Sequence, residues 1–413
     1  MTRAPQRLLA RLGVGRALLM LAGAAACLAT PAAAAPITLE AALQRASEAA
    51  PQLAAAIAGV TAATGRARQA GFAPNPEASL VAENIGGSGA YTAFDQSEVT
   101  LSVGQRFELG GKRRARRSAA EAEIETARLR MEIARADLEQ DVRQRFFEAL
   151  AWRSRVELAG SLAQSAAELA RVTAILVDAG REPPLRALRA KTASQEAASR
   201  VDAARAEYAS AQRALSALWS APEESPDPIQ ADLAVSDAPI DPAAGLDVRA
   251  AEAELNAARA GVDRERALAT PDVTVSVGVR RLNDTHDTAL VVGASAPIPI
   301  RDRNQGSIAA ARADAVGAEA RRNLALSEAV RRARDAHAML VTATARVALL
   351  EQATTPQAAE ALRLAREGYA AGKFSLLDVL DAQTAVAAAQ SDLIDARLAR
   401  AKAAAALLRA AVR

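Results

Sequence analysis

A short pattern at the end of one long helical stretch returns 192 residues further on. Val177-Asp-Ala-Gly-Arg181, followed by Leu185 and Leu188, aligns with Tyr369-Ala-Ala-Gly-Lys373, followed by Leu377 and Leu380, at the spacing that separates Gly180 from Gly372. The surroundings repeat as well: two short alternating segments and then a very long helical hairpin, from Pro76 to Trp219 and again from Pro271 to Arg413. An internal repeat of this size means that one architectural unit is used twice in one assembly. The expected organisation is a leader over 1–34, a first repeat over 37–220 and a proline- and aspartate-rich linker over 221–244, ahead of a second repeat over 245–413. In the first repeat strands fall at about 76–109 and the hairpin at 112–219; in the second, strands at 271–300 and the hairpin at 303–411.

The alternating segments limit the fold most sharply. Val99, Leu101, Val103, Phe107 and Leu109 interleave with Glu98, Thr100, Ser102, Arg106 and Glu108. Val273, Val275, Val277 and Val279 interleave with Asp272, Thr274, Ser276 and Arg280. Leu290, Val292, Ala294, Ala296 and Ile298 form a third set, and Glu77 to Glu83, with Ala78 and Leu80, a weaker one. Each reads as a strand of about 10 to 13 residues, long enough to cross a bilayer when tilted. Alternation alone also describes a half-buried sheet in a soluble protein. Here the polar face carries Glu83, Glu98, Arg106, Glu108, Asp272 and Arg280 while the apolar face is aliphatic, and polar connections (Gly86 to Gln96, Asn283 to Asp287) join the strands in pairs. That combination fits water on one side and lipid on the other. An open four-stranded sheet would leave edge backbone groups unpaired in lipid, and closed bacterial barrels begin at about eight strands. The sheet is therefore expected to close between subunits; three copies would pool twelve strands.

The helical stretches exceed the thickness of a membrane. Arg113 to Ala179 has no proline and one glycine, Gly160, and spans on the order of 100 Å as a helix. Leu185 to Trp219 returns; Asn304 to Ala371 and Phe374 to Arg413 form the second hairpin, with a kink or break expected at Pro356. Seven-residue spacings (Ile124, Met131, Leu138; Leu162, Leu169, Leu176; Val379, Val386, Leu393, Leu407) have the coiled-coil period, broken at Arg400. The shorter segments Ala50 to Gln69 and Gly245 to Leu268 are expected to stack end to end with the returning helices. Composition agrees: the chain is 51% hydrophobic, mostly as alanine, but only 3% aromatic, which suits long, closely packed helices better than large cores. The predicted fold class is mainly α with membrane β: a trimeric barrel continued by a helical coiled-coil tunnel.

The start of the chain reads as a secretory signal, with Arg3, Arg7, Arg11 and Arg16, an apolar stretch from Ala17 to Ala29, and Ala32-Ala33-Ala34 before Pro36. Its apolar run is shorter than the roughly 20 residues of a spanning helix. Loss of those four arginines takes the formal charge from +3 to about −1, which gives nucleic-acid binding no support. The single cysteine, Cys27, sits in the leader, where lipidation is the alternative to removal with the signal. Beyond the leader no apolar run reaches 18 residues, so any membrane span is expected to be made of strands.

Catalytic chemistry is not expected. His286 and His337 have no cysteine or carboxylate cluster at ligand spacing, and neither a phosphate-binding loop nor a nucleophile motif occurs. No cofactor and no metal site are predicted. The hairpin tips are more informative. Asp378 and Asp381 share one face of the first turn after the second tip, and Arg186 and Arg189 occupy the equivalent positions after the first. Acids there stabilise a helix N-terminus; in a threefold tunnel they would also form two rings of negative charge at its narrow end, held shut by the arginines of the other tip.

At these residues the chain resembles the TolC-like outer-membrane factors of Gram-negative efflux systems. Tyr369-Ala-Ala-Gly-Lys-Phe-Ser-Leu-Leu-Asp-Val-Leu-Asp-Ala-Gln383 is similar to that family's second periplasmic turn, whose acidic pair maps onto Asp378 and Asp381. Phe374 stands where the best-known member has an arginine. Pro74-Asn-Pro-Glu77, Glu83-Asn84 with Gly86-Gly87, Phe107-Glu-Leu-Gly-Gly-Lys-Arg113 and Pro297-Ile-Pro-Ile-Arg-Asp-Arg-Asn-Gln-Gly306 resemble the heavy-metal branch, the partners of cobalt-zinc-cadmium type exporters. The resemblance implies a homotrimer in outer-membrane lipid, extending into the periplasm and docking a periplasmic adaptor and a proton-driven inner-membrane pump. Gly180, Arg181, Leu185, Arg186, Arg189, Gly372, Lys373 and Leu377 are the expected tip and docking residues, with Asp378 and Asp381 at the aperture. The alternatives are an exit channel for drugs or secreted protein, and a periplasmic coiled-coil protein without a pore.

Overall fold

A computed structural model describes residues 36–229, 231–233 and 240–412; the leader over 1–34, Cys27 and part of the 221–244 linker lie outside the described residues. In chain order the elements are β1 (Pro36–Ile37), α1 (Leu39–Ala49), α2 (Pro51–Ala70), β2 (Glu77–Glu83), β3 (Glu98–Phe107), α3 (Lys112–Asp178), α4 (Pro184–Ser216), β4 (Asp227–Pro228), α5 (Leu246–Leu268), β5 (Val273–Leu282), β6 (Thr288–Ser295), α6 (Gln305–Leu349), α7 (Thr355–Ala370) and α8 (Leu376–Ala410). None of the described helices is long and apolar enough to cross a membrane.

α3 runs for 67 residues because nothing inside it removes a backbone donor, and α4 packs back along it. The second long helix is interrupted. Pro356 has no N–H for the Gln352 carbonyl and its ring crowds that carbonyl, so the chain widens into one π turn, Leu350–Thr354, before α7 resumes. The returning helices meet the short ones. The Leu246 N–H donates to the Val412 carbonyl (3.1 Å), which sets α5 at the end of α8. Leu39, Ala42 and Ala46 of α1 and Leu53 of α2 cover the end of α4 at Leu215 and Trp219, over Leu138, Val142 and Phe146 of α3. Phe146 is fully buried and meets Phe147 edge to face at 5.7 Å, the preferred arrangement for paired rings.

Just after α4 the chain lies as a strap across these helices. Tyr208 donates to Asp227 (2.6 Å), Gln212 to the Pro226 carbonyl (2.9 Å) and Arg153 to the Pro228 carbonyl (3.0 Å), while β1 and β4 pair in parallel. Burial, and then the neighbouring Asp227 carboxylate, push the Tyr208 phenol above its ordinary range.

β2, β3, β5 and β6 form one antiparallel sheet in the order β2-β3-β5-β6. The two inner strands come from opposite halves of the chain: Val103 lies opposite Val277 and Leu101 opposite Val279. The inner strands β3 and β5 have 10 residues each, within the expected range, while the outer strands β2 and β6 are shorter at 7 and 8, and Leu109, Ala296 and Ile298 lie beyond the strand ends. Gly110 and Gly111 carry φ of 69° and 73° and turn the chain out of β3, a backbone that glycine adopts without strain. Pro297 and Pro299 have no N–H to continue the ladder from β6. The ends of the sheet are thus set by residues that alternation does not register.

Candidate functional site

The register sorts the sheet into two chemically distinct faces. Leu80, Leu101, Val279 and Leu290 stand in one cross-strand row, and Ala78, Val103, Val277 and Val292 in the next. The first row is 70%, 58%, 50% and 73% exposed, so this aliphatic face is bare in the protomer. On the other face Glu83 and Glu98 lie directly opposite each other, an arrangement that repels. Arg280 relieves it, binding Glu98 (2.8 Å) and Glu83 (3.3 Å) and donating to Thr100 (3.0 Å). The ionised groups Glu83, Glu98 and Arg280 satisfy one another on the face that would meet water. The two polar side chains that the inner strands place on the aliphatic face lie toward opposite ends, Gln105 donating to the Pro74 carbonyl (3.1 Å) and Arg281 to the His286 carbonyl.

Both strand pairs and the starts of the long helices after them are tied to neighbouring elements. Asp272, just before β5, accepts from Lys112 (2.6 Å) and from the Leu109 N–H (3.3 Å), while Arg116 holds Glu108 (3.0 Å) and the Phe72 carbonyl (3.2 Å). A side chain at Gly110 would collide with Thr270. Asn304, in the left-handed region at φ 58°, donates to the Glu265 carbonyl and carboxylate (2.8 and 2.9 Å). That contact, ahead of the Arg264 charge, lowers the Glu265 pKa. These knots explain the two glycine- and proline-containing motifs as joints between strand and helix.

Both hairpin tips turn by the same device. At the first, the Arg181 N–H reaches the Leu176 carbonyl and the Gly180 N–H the Val177 carbonyl (both 2.9 Å); at the second, Lys373 reaches Gly368 (2.8 Å) and Gly372 reaches Tyr369 (3.0 Å). With Gly180 at φ 70° and Gly372 at φ 72°, these are paired Schellman caps. The next helices start at Pro184 and Leu376, again 192 apart. Leu185 and Leu377 are exposed at both tips, as are Arg181, Arg189, Lys373, Asp378 and Asp381. Phe374 lies over Gly368, where even a methyl group would strike its ring.

The charged tip residues are engaged locally. Asp378 closes a capping box, accepting from the Ser375 amide (2.7 Å) and hydroxyl (2.8 Å), and these bonds hold its carboxyl below the usual aspartate range. Arg186 pairs with Glu182, one turn away, and not with Asp378 or Asp381. The cross-tip ion pairs expected from the sequence are therefore not formed within the protomer. Ser375→Ala should raise amide exchange over the first turn of α8 several-fold at neutral pH, with α7 unchanged. A depressed carboxylate stabilises above its unfolded pKa and loses that contribution as pH falls through the folded one. The difference between variant and parent should shrink as the pH drops below about 3.9; exchange equal to the parent's at neutral pH would mean that the cap is idle.

Sequence reading assigned no partner to Asp272 or Asn304 and no role to Arg409. Arg409 is 10% exposed at the end of α8 and joins Asp137 of α3 (2.6 Å) to Asp247 of α5 (3.1 Å), and Arg332 of α6 also reaches Asp247 (3.0 Å). The available signal was a lone arginine in an alanine-leucine run, a position that only a paired charge tolerates.

Residues 42–221 and 243–411 match the outer membrane efflux protein family. The chain is 34% identical over 360 residues to the cobalt-zinc-cadmium resistance protein CzcC of Cupriavidus metallidurans, covering 85% of this chain and 84% of that protein. It is 37% identical over 284 residues to the nickel and cobalt resistance protein CnrC of the same organism, 68% of each. Among solved structures, the outer membrane protein VceC of Vibrio cholerae superposes with a TM-score of 0.77 at 23% identity, over 90% of this chain and 95% of that one.

Proposed function

The chain belongs to the outer membrane efflux protein family, and on that premise we propose that three copies close a single duct carrying divalent heavy-metal cations out of the cell. It is an outer-membrane protein that extends into the periplasm. The observation that carries the proposal is the sheet: β2 and β6 each have one unpaired edge, and the aliphatic face is bare. Lipid would accept that face and reject those edges, so the edges pair between copies, giving twelve strands. The helices support the same closure. α2 packs on α3, and α6 on α5 and α8, while α6 exposes Val316, Leu324, Val341 and Leu349 at spacings that share one helical face. That stripe is the seam for α2 of the next copy. On this reading 37–220 and 245–413 are two copies of one structural unit, joined by 221–244.

The cargo is inferred from kinship with CzcC and CnrC, whose names specify cobalt, zinc, cadmium and nickel resistance. The partners are a periplasmic adaptor, docking on the exposed leucines and basic residues of the tips, and a proton-driven inner-membrane pump of the RND class. Asp378 and Asp381 line the aperture. The chain performs no chemistry of its own; selectivity and energy belong to the pump. A deletion strain should become sensitive to cobalt, zinc or cadmium and recover with the intact chain. Unchanged metal tolerance with new drug sensitivity, or loss of a secreted protein, would assign the duct to that cargo instead. In planar bilayers Asp381→Asn should reduce cation preference more than Asp378→Asn, because Asp378 is already committed to Ser375. Equal effects would remove the distinction.

A further inference from the structure

We propose that the collar where the sheet meets the helices binds anionic glycerophospholipid headgroups. The inference rests on the proposed membrane placement of the sheet. β3 runs 10 residues from Glu98 to Phe107, about 30 Å along the strand and about 23 Å along the membrane normal at a tilt of about 40°, close to the roughly 25 Å apolar band of an outer-membrane barrel. Phe107 therefore marks the lipid boundary, and the strand-to-helix joint beyond it lies among headgroups.

That joint has the composition of a headgroup boundary. Phe72, Ile298 and Ile300 are 63%, 80% and 75% exposed, unusually bare for side chains outside a strand. Arg113 and Arg114, just after β3, and Arg301, just after β6, are exposed too. Three carboxylates of the joint are taken, Asp272 by Lys112, Glu108 by Arg116 and Glu265 by Arg264 and Asn304, and Asp302 accepts the Asn304 N–H (2.8 Å). Among the described residues no carboxylate lies within 4.0 Å of Arg113, Arg114 or Arg301. Without its four leader arginines the chain is close to neutral, so this collar is a local excess of cation. A guanidinium fork matches a phosphate diester, and apolar side chains beside it enter the acyl layer. Anionic lipid is favoured over zwitterionic lipid because each basic residue near a charged leaflet adds attraction that salt screens.

The test uses the full chain, purified in neutral detergent and compared with Arg113→Gln/Arg114→Gln/Arg301→Gln. Phosphatidylglycerol should raise the parent's melting temperature by several degrees, less at high salt, while phosphatidylcholine and inorganic phosphate at equal phosphate concentration should not. The variant should lose the rise, and mass spectrometry should find at least about threefold less phosphatidylglycerol retained. Equal shifts with phosphatidylcholine, or an undiminished rise in the variant, would overturn the proposal, and a match with inorganic phosphate would replace it with a free-anion site. If the variant does not fold, retention of phosphatidylglycerol over phosphatidylcholine by the parent decides alone. A parent that conducts in bilayers yet shows no lipid preference defeats this inference only; one that never inserts defeats the duct itself.

Discussion

Val277→Arg is expected to abolish assembly into the outer membrane. Val277 stands in the row Ala78–Val103–Val277–Val292, on the aliphatic face, 52% exposed in the protomer. An arginine on the lipid face near the bilayer midplane costs about 2–4 kcal/mol, and a threefold assembly incurs that cost three times. The control is Ser79→Arg, on the opposite face one residue from Ala78, where a lumen would hydrate the new charge. Gel-resistant trimer in the outer-membrane fraction should vanish for Val277→Arg and persist for Ser79→Arg. The reverse pattern would mean that the two faces have been assigned the wrong way round.

Arg409→Met should be the most damaging helical substitution. The side chain is 10% exposed and holds Asp137 and Asp247 together, where α3, α5, α6 and α8 converge. Removing one partner of a buried ionic group costs about 3–5 kcal/mol. Asp137 is 54% exposed and can regain water once the arginine is gone, which lowers the expectation to about 2–3 kcal/mol. Thermal unfolding should fall by several degrees, and Asp137→Asn alone should cost much less. A melting temperature equal to the parent's would show that the junction is held by packing around Leu246 and Ala250 and not by charge.

The tips were legible because their device is local. A glycine in the left-handed region followed by a helix restart needs only residues close in sequence, and the Gly180 and Gly372 turns have the geometry that their shared pattern implied. The kink at Pro356 was legible for the same reason. Alternation sets the ends of β3 and β6 too late because it continues through Leu109 and Ile298, while the ladder stops at Phe107 and Ser295, ahead of glycine and proline. Arg186 and Asp378 were read as facing each other across the tips. In the protomer each found a nearer partner, Glu182 and Ser375, since a contact one turn away asks for little ordering and a contact between hairpins asks for more.

Sequence alone determined the four strands of the main sheet and the long helices, because a period of two and a period near three and a half are properties of the local backbone, but not the short α1, β1 and β4. It also showed that one chain has too few strands to close a sheet. Only the tertiary structure decided that β3 pairs with β5 at the centre of the sheet, that Asp272 ties the second strand pair to α3 through Lys112, and that Arg409 links helices far apart in the chain. Such pairings depend on which groups arrive together once the chain has folded, and hydrogen-bond and charge partners separated by more than a hundred residues leave no periodic trace.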